Sequence, residues 1–229
     1  MSGTPSRARH GPTRPSEALS DANALVLAEP SPAGGRCPCT REAHDGTALR
    51  AEPTGFLRVA FTRADRVPPR EWVHAAADAG VRVRVVDATP CPEEGDDDEV
   101  VTVAASGPSN LTDLGVRITD ALAELDASGG RATDDAAADR TDGGSAGRGP
   151  VCCLGSMTAL LQYVDTRDVY QFVNAVTARV STHGGVAHAH LQPELHDRQT
   201  VDTVASLFEV VAEPRTDGAG LEVVRSRRR

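Results

Sequence analysis

Residues Val151 to Gly155, VCCLG, are five consecutive apolar or small residues with no alternation between faces. A strand with one wet face shows a polar residue at every second position. An unbroken run instead predicts a strand covered on both sides, as in the interior of a parallel sheet. Parallel strands need crossover connections, usually helices, so this stretch commits the chain to an α/β architecture with a layer on each face of the sheet. In such folds ligands sit at the carboxyl ends of the strands. That makes Ser156 the first candidate binding residue. Ser156-Met157-Thr158 reads as a short polar turn, and Leu160, Leu161 and Val164 as the apolar segment after it.

The remaining chain supplies matching elements. Ala24 to Ala28 is a second buried-strand candidate, followed by the loop Glu29-Pro30-Ser31-Pro32-Ala33-Gly34-Gly35. Phe56 to Thr62 reads as a strand, and a helix follows with Pro69 in its first turn. Trp72, Val73, Ala76 and Ala79 form the apolar stripe of that helix, and Gly80 ends it. Val81 to Val86 and Val100 to Ala104 are further strands. Asn110 caps a helix with Asp113 in its first turn, where a carboxylate suits the free amides and the dipole. Leu111, Leu114, Ile118, Ala121, Leu122 and Leu125 keep helical spacing along it. Val169, Phe172, Val173, Val176 and Val180 predict a helix ended by Gly184-Gly185. Val186 to Leu191 predicts a strand, with Val186, His188 and His190 on one face. Val201, Val204, Ala205, Phe208 and Val211 read as another helix, and Leu221 to Val224 as a last strand. This order predicts one three-layer α/β domain over residues 21–225 with a mostly parallel sheet. Residues 1–20 read as a disordered tail and 226–229 as a basic one. Residues 126–150 read as a disordered insertion, since they carry no large apolar side chain to offset their ordering entropy.

Charge and cysteine usage narrow the function classes. The chain has 33 acidic and 24 basic residues, a formal net charge of −9, and no lysine. Such a surface argues against broad nucleic-acid binding and leaves a protein as the expected partner. No apolar run is long enough to span a membrane, and no apolar segment follows Arg7, Arg9 and Arg14. The expectation is a cytoplasmic protein without membrane attachment. The terminal Arg225, Arg227, Arg228 and Arg229 could touch nucleic acid or an acidic partner, or simply be solvated. Cys152 and Cys153 are neighbours in the buried run and act as small hydrophobes. Cys37 and Cys39 form a C-x-C pair in a loop, and Cys91 lies between two prolines. No second spaced pair completes a zinc site.

Two constellations carry possible chemistry. His188 and His190 share a strand face and could hold one metal ion, with His196 as a third ligand. The other reading makes them half-buried polar residues bonded to neighbours, and the lack of a fixed third ligand favours it. Ser156 as a nucleophile lacks the G-x-S-x-G elbow, so capping the turn is the expected role. Asp165 and Asp168 suit the start of the helix that follows them.

Taken together, several segments resemble a haloarchaeal family of RecA/KaiC-like domains of unknown function. They are ALVLA with its loop, Ser109 to Gly115 (SNLTDLG), Val151 to Asp165 (VCCLGSMTALLQYVD) and Val186 to Asp197 (VAHAHLQPELHD). The resemblance implies a RecA/KaiC-like fold. In ATPases of that build the strand matching Val151 to Leu154 ends in an Asp-Ser pair whose acid helps hold magnesium. Here Gly155 stands at the acid position and Ser156 keeps the hydroxyl. Their first strand leads into G-x-x-x-x-G-K-[ST], where this chain has Glu29 to Arg36, with Gly34 and Gly35 the remaining candidates for phosphate contact. A phosphate loop needs backbone amides, a lysine and a hydroxyl for magnesium. Two prolines and the absence of lysine remove most of that, and arginine is no direct replacement. The resemblance therefore implies a degenerate, non-catalytic regulatory or interaction module with no cofactor. The alternative is a nucleotide- or metal-binding enzyme or sensor using Ser156, His188 and His190. A carboxylate at position 155 is expected to be tolerated, at a strand end open to solvent.

Overall fold

A computed structural model describes residues 22–27, 53–66, 68, 70–96, 99–129, 149–215 and 221–227. Among these, nine strands form one sheet. They are β1 (Ala24–Leu27), β2 (Gly55–Ala60), β3 (Arg82–Asp87), β4 (Gly95–Asp96), β5 (Val100–Ala104), β6 (Val151–Ser156), β7 (Val186–Leu191), β8 (Val210–Pro214) and β9 (Leu221–Ser226). Their spatial order is β4-β5-β3-β2-β6-β7-β1-β8-β9. The seven inner strands are parallel, and the edge strands β4 and β9 run antiparallel. As expected from its unbroken apolar run, β6 lies inside the sheet between β2 and β7, with Val151 to Gly155 buried.

Two cores hold the sheet between helical layers. On one face pack α3 (Leu111–Gly129), the short α4 (Met157–Leu160), α5 (Thr166–Thr182) and α6 (Arg198–Ala205). Their core-facing residues, among them Leu114, Ile118, Leu122, Val173 and Val204, meet Leu57, Val59, Cys152, Leu154, Ala187 and Ala189. On the other face α2 (Arg70–Asp78) sets Trp72 and Val73 against Phe56, Val83 and Val151. The Trp72 and Phe56 rings meet edge to face at 4.5 Å, a geometry that adds to plain area burial. A one-turn helix, α1 (Arg63–Arg66), links β2 to this layer.

The helix boundaries follow local chemistry. Asn110, Asp165 and Asp197 each accept a backbone N–H three residues on, which satisfies an otherwise orphaned donor of the first turn. At the end of α2, Gly80 N–H reaches Ala77 O and Val81 N–H reaches Ala76 O, with Gly80 at φ 72°. That left-handed conformation is cheap only for glycine. α5 closes the same way through Gly184, at φ 65°.

Three boundaries differ from the sequence reading. The helix predicted through Val211 stops at Ala205, and Val210 to Pro214 form β8 beside β1. The β-branched pair Val210-Val211 fills a parallel slot, and that tertiary pairing overrides the helical spacing. The residues read as a polar turn after β6 form α4, with Met157 and Leu160 wholly buried. α3 continues through Asp126 to Gly129, four residues into the predicted insertion. Of the rest of that insertion, 130–148 lie outside the described residues, as do residues 1–21.

Candidate functional site

The connection leaving β2 runs through α2 to β3, on one side. The connection leaving β6 runs through α5 on the opposite face to β7, on the other side. β2 and β6 are neighbours, so their carboxyl ends flank a topological switch point, the position where α/β sheets open a ligand crevice. What fills that crevice decides what the sheet can do.

It is filled by the chain itself. Arg58, in the middle of β2, is 1% exposed. Its Nη2 donates to Asp65 Oδ1 at 2.9 Å, and Thr62 Oγ1 donates to Asp65 Oδ2 at 2.7 Å. Asp65 belongs to α1, which turns back over the end of β2. A Cβ placed on Gly155 would lie 2.7 Å from Val59 O and 3.2 Å from Asp65 Oδ2. Gly155 is also the residue at which β6 slips register against β7, between Leu154 and Ser156. The glycine thus gives up its side chain where the carboxylate of Asp65 closes in. This corrects the expectation that position 155 is open to solvent and accepts an acid: Gly155 is buried, backed by a strand carbonyl and an existing carboxylate.

A second charged cluster stands at the end of β3. Arg66 Nε pairs with the fully buried Asp87 at 2.7 Å, and Nη1 with Glu93 at 2.8 Å. Its Nη2 donates to Thr89 Oγ1 and Cys91 O. Asp87 accepts the backbone N–H groups of Thr89 and Glu93. One arginine and one aspartate therefore fold the loop after β3 onto α1.

The residues singled out by sequence divide. Ser156 Oγ accepts from Ala159 N–H at 3.1 Å, so it caps α4 as expected. His188 and His190 do share a face of β7, His188 fully buried beside Cys153 and Ala24 in register. His190 Nε2 lies 3.6 Å from Cys153 Sγ. His196 goes elsewhere: its Nε2 bonds Thr158 Oγ1 at 3.1 Å, and Gln192 N–H donates to the same oxygen at 2.9 Å. That places it with α4, whose Met157 and Leu160 pack in the core on the opposite face of the sheet. Among the described residues, no three His, Cys, Asp or Glu side chains gather as ligands for a metal ion. Gly34 and Gly35 lie outside the described residues, and so do Cys37 and Cys39.

The crevice residues Arg58 and Asp65, and Arg66 and Asp87 at the end of β3, were not among the sequence candidates. One signal did point to them: Arg58 interrupts the apolar run Phe56 to Phe61, and a charge buried in such a strand needs a partner.

Among the described residues, no helix is long and apolar enough to cross a membrane. No curated protein matches the chain. A solved structural-study target from Pyrococcus horikoshii OT3 aligns over 93% of this chain and 90% of its own, at 11% identity and a TM-score of 0.47. The model of a family of unknown function (DUF7504) matches residues 22–214, which contain the sheet through β8 and both charged clusters, and the chain belongs to that family.

Proposed function

We propose that this protein is a non-catalytic regulatory or protein-interaction module, built on a RecA/KaiC-like plan from which the ATPase parts have been lost. The observation that carries the reading is the Arg58–Asp65 pair closed over Gly155 at the β2/β6 switch point. Magnesium-assisted phosphoryl transfer needs an ionised, available acid near the strand end, and a cation to reach the terminal phosphates. The chain has no lysine, and its strand-end position is Gly155. Asp65 does bring a carboxylate close, but Arg58 and Thr62 hold its two oxygens. A divalent ion would have to displace the buried Arg58 guanidinium from that carboxylate.

The test is phosphate release from MgATP by the full chain in molar KCl. The expected result is no release above buffer, for the parent and for Asp65→Asn alike. Turnover that Asp65→Asn abolishes would assign the carboxylate to a working metal site and end the module reading.

A further inference from the structure

The edge strand β9 is weakly held for a strand of its length. Of its side chains only Leu221 is buried, and Val224 is 51% exposed. The pairing with β8 is imperfect at one end and in the middle. Glu222 lies directly opposite Glu213, and like charges so placed repel. Leu221 lies opposite Pro214, which has no N–H to donate. The register slips where Val211 meets Arg225 and Ala212 meets Val223, which leaves Val224 without a counterpart in β8. The fastenings sit at the other end. Arg225 Nη2 donates to Ala205 O, Arg227 Nη1 reaches Ser206 O at 3.4 Å, and Arg227 N–H bonds Glu209 O at 2.8 Å. The carbonyls at the end of α6 carry its negative pole, which suits these cations. The strand beneath is built differently: Val210, Val211 and Ala212 are buried, and β1 holds their other side.

We infer that β9 is an edge strap: it opens from β8 as one unit while the sheet from β4 through β8 stays folded, and when closed it keeps the β8 edge from pairing with a second copy of this chain. An open sheet edge is a template for another strand. Once β9 lifts, Val210-Val211-Ala212 presents an apolar, β-branched edge of that kind. β9 itself makes a poor template. Its irregular step at Val224 and its charged Glu222 and Arg225 blunt the edge it creates. The opposite edge of the sheet ends in β4, which is only two residues long and is blunted by its brevity. An inner strand cannot open in this way. β1 is bonded on both sides and carries buried Ala24, Leu25 and Val26, so releasing it opens the whole sheet. This property of β9 does not depend on the module reading.

The experiment follows single backbone amides of the full chain by hydrogen exchange in NMR, at about 0.1 M salt, where exposed charges still act over about 10 Å. Arg227 N–H, bonded to Glu209 O, reports on β9, and Ala187 N–H, bonded to Asn23 Oδ1, reports on the inner sheet. After correction for intrinsic rates, Arg227 should exchange roughly tenfold or more faster than Ala187, the mark of a local opening. Glu222→Gln removes the repulsion at the far end of the strand. It should slow exchange at Arg227 by about twofold to fivefold and leave Ala187 unchanged. Arg225→Ala combined with Arg227→Ala releases the fastened end. That variant should stay folded by circular dichroism and form larger species in size exclusion as concentration rises, where the parent does not. Exchange of Arg227 in step with Ala187 overturns the strap. So does an Arg227 amide indifferent to Glu222→Gln, since fraying from one end would not carry the change to the other. A double variant that fails to fold, or that folds and keeps the parent's size at every concentration, overturns it as well.

Discussion

Gly155 offers the sharpest test of how the switch point is built. In Gly155→Ala the new Cβ would sit 2.7 Å from Val59 O, closer than such contacts tolerate. The obstacle is backbone of β2, paired on both sides with β3 and β6, so it cannot move aside. Overpacking a rigid site costs about 1–3 kcal/mol. At roughly 2–4 °C per kcal/mol for a chain of this size, the melting temperature should fall by about 2–12 °C. Gly155→Asp adds a second carboxylate beside Asp65, whose Cγ lies 3.3 Å from the added Cβ. Two carboxylates cannot both stay ionised there, and the added penalty is several kcal/mol against a total stability of about 5–15 kcal/mol. Combining Gly155→Asp with Asp65→Asn removes the like-charge term but not the steric one, so the double variant should be less destabilised than the two single changes predict together. Urea unfolding and thermal melts in the same salt measure the parent, the three single variants and the double variant. The packing account is wrong if Gly155→Ala unfolds with the parent, or if the aspartate costs no more than the alanine.

Asp65→Ala should destabilise by about 1.5–3 kcal/mol, because it removes a charge-assisted hydrogen bond from the buried Arg58; Arg58→Met with Asp65→Leu should recover most of the loss in denaturant melts. Asp113 is held below its ordinary pKa of 3.8, chiefly by the backbone and hydroxyl donors of Ser106. A depressed carboxylate contributes stability above its unfolded pKa and loses it as pH falls through the folded value, so Asp113→Asn should flatten the acid limb of the stability curve below about pH 4. Burial raises the Cys152 thiol to about 12. Brief alkylation of the native protein should therefore label exposed Cys91 and spare Cys152, as read by peptide mass mapping; equal labelling would contradict the buried position of β6.

The parts legible in the sequence were those written in local pattern. Val151 to Gly155 announces an inner strand because every side chain there must be dry. Asn110 announces a helix start because its oxygen serves the N–H three residues on. β8 was hidden because Val201, Val204, Phe208 and Val211 fall at helical intervals, while the slot that claims Val210 to Ala212 is created by β1, far away in the chain. The switch point was hidden for a related reason. A lone arginine in a strand can as well mark a wet face, and nothing in the seven-residue interval from Arg58 to Asp65 says that the chain turns back on itself. His196 was grouped with His188 and His190 by proximity in sequence, but strand faces alternate and the turn after β7 carries His196 to Thr158 instead.

The position of β1 has a consequence for synthesis. It is inserted between β7 and β8, and Asn23, just before it, bonds Ala187 and Glu209, which lie 164 and 186 residues downstream. On a ribosome adding ~5–20 residues per second, that interval lasts roughly 10–40 s. Throughout it the apolar ALVL segment has no slot to enter, while β2, β3, β5 and β6 can already pair with one another. The nascent chain therefore carries an unplaced hydrophobic strand until β7 and then β8 emerge, and a stall or truncation before Val210 would release a sheet in which β1 lacks its partner on one side.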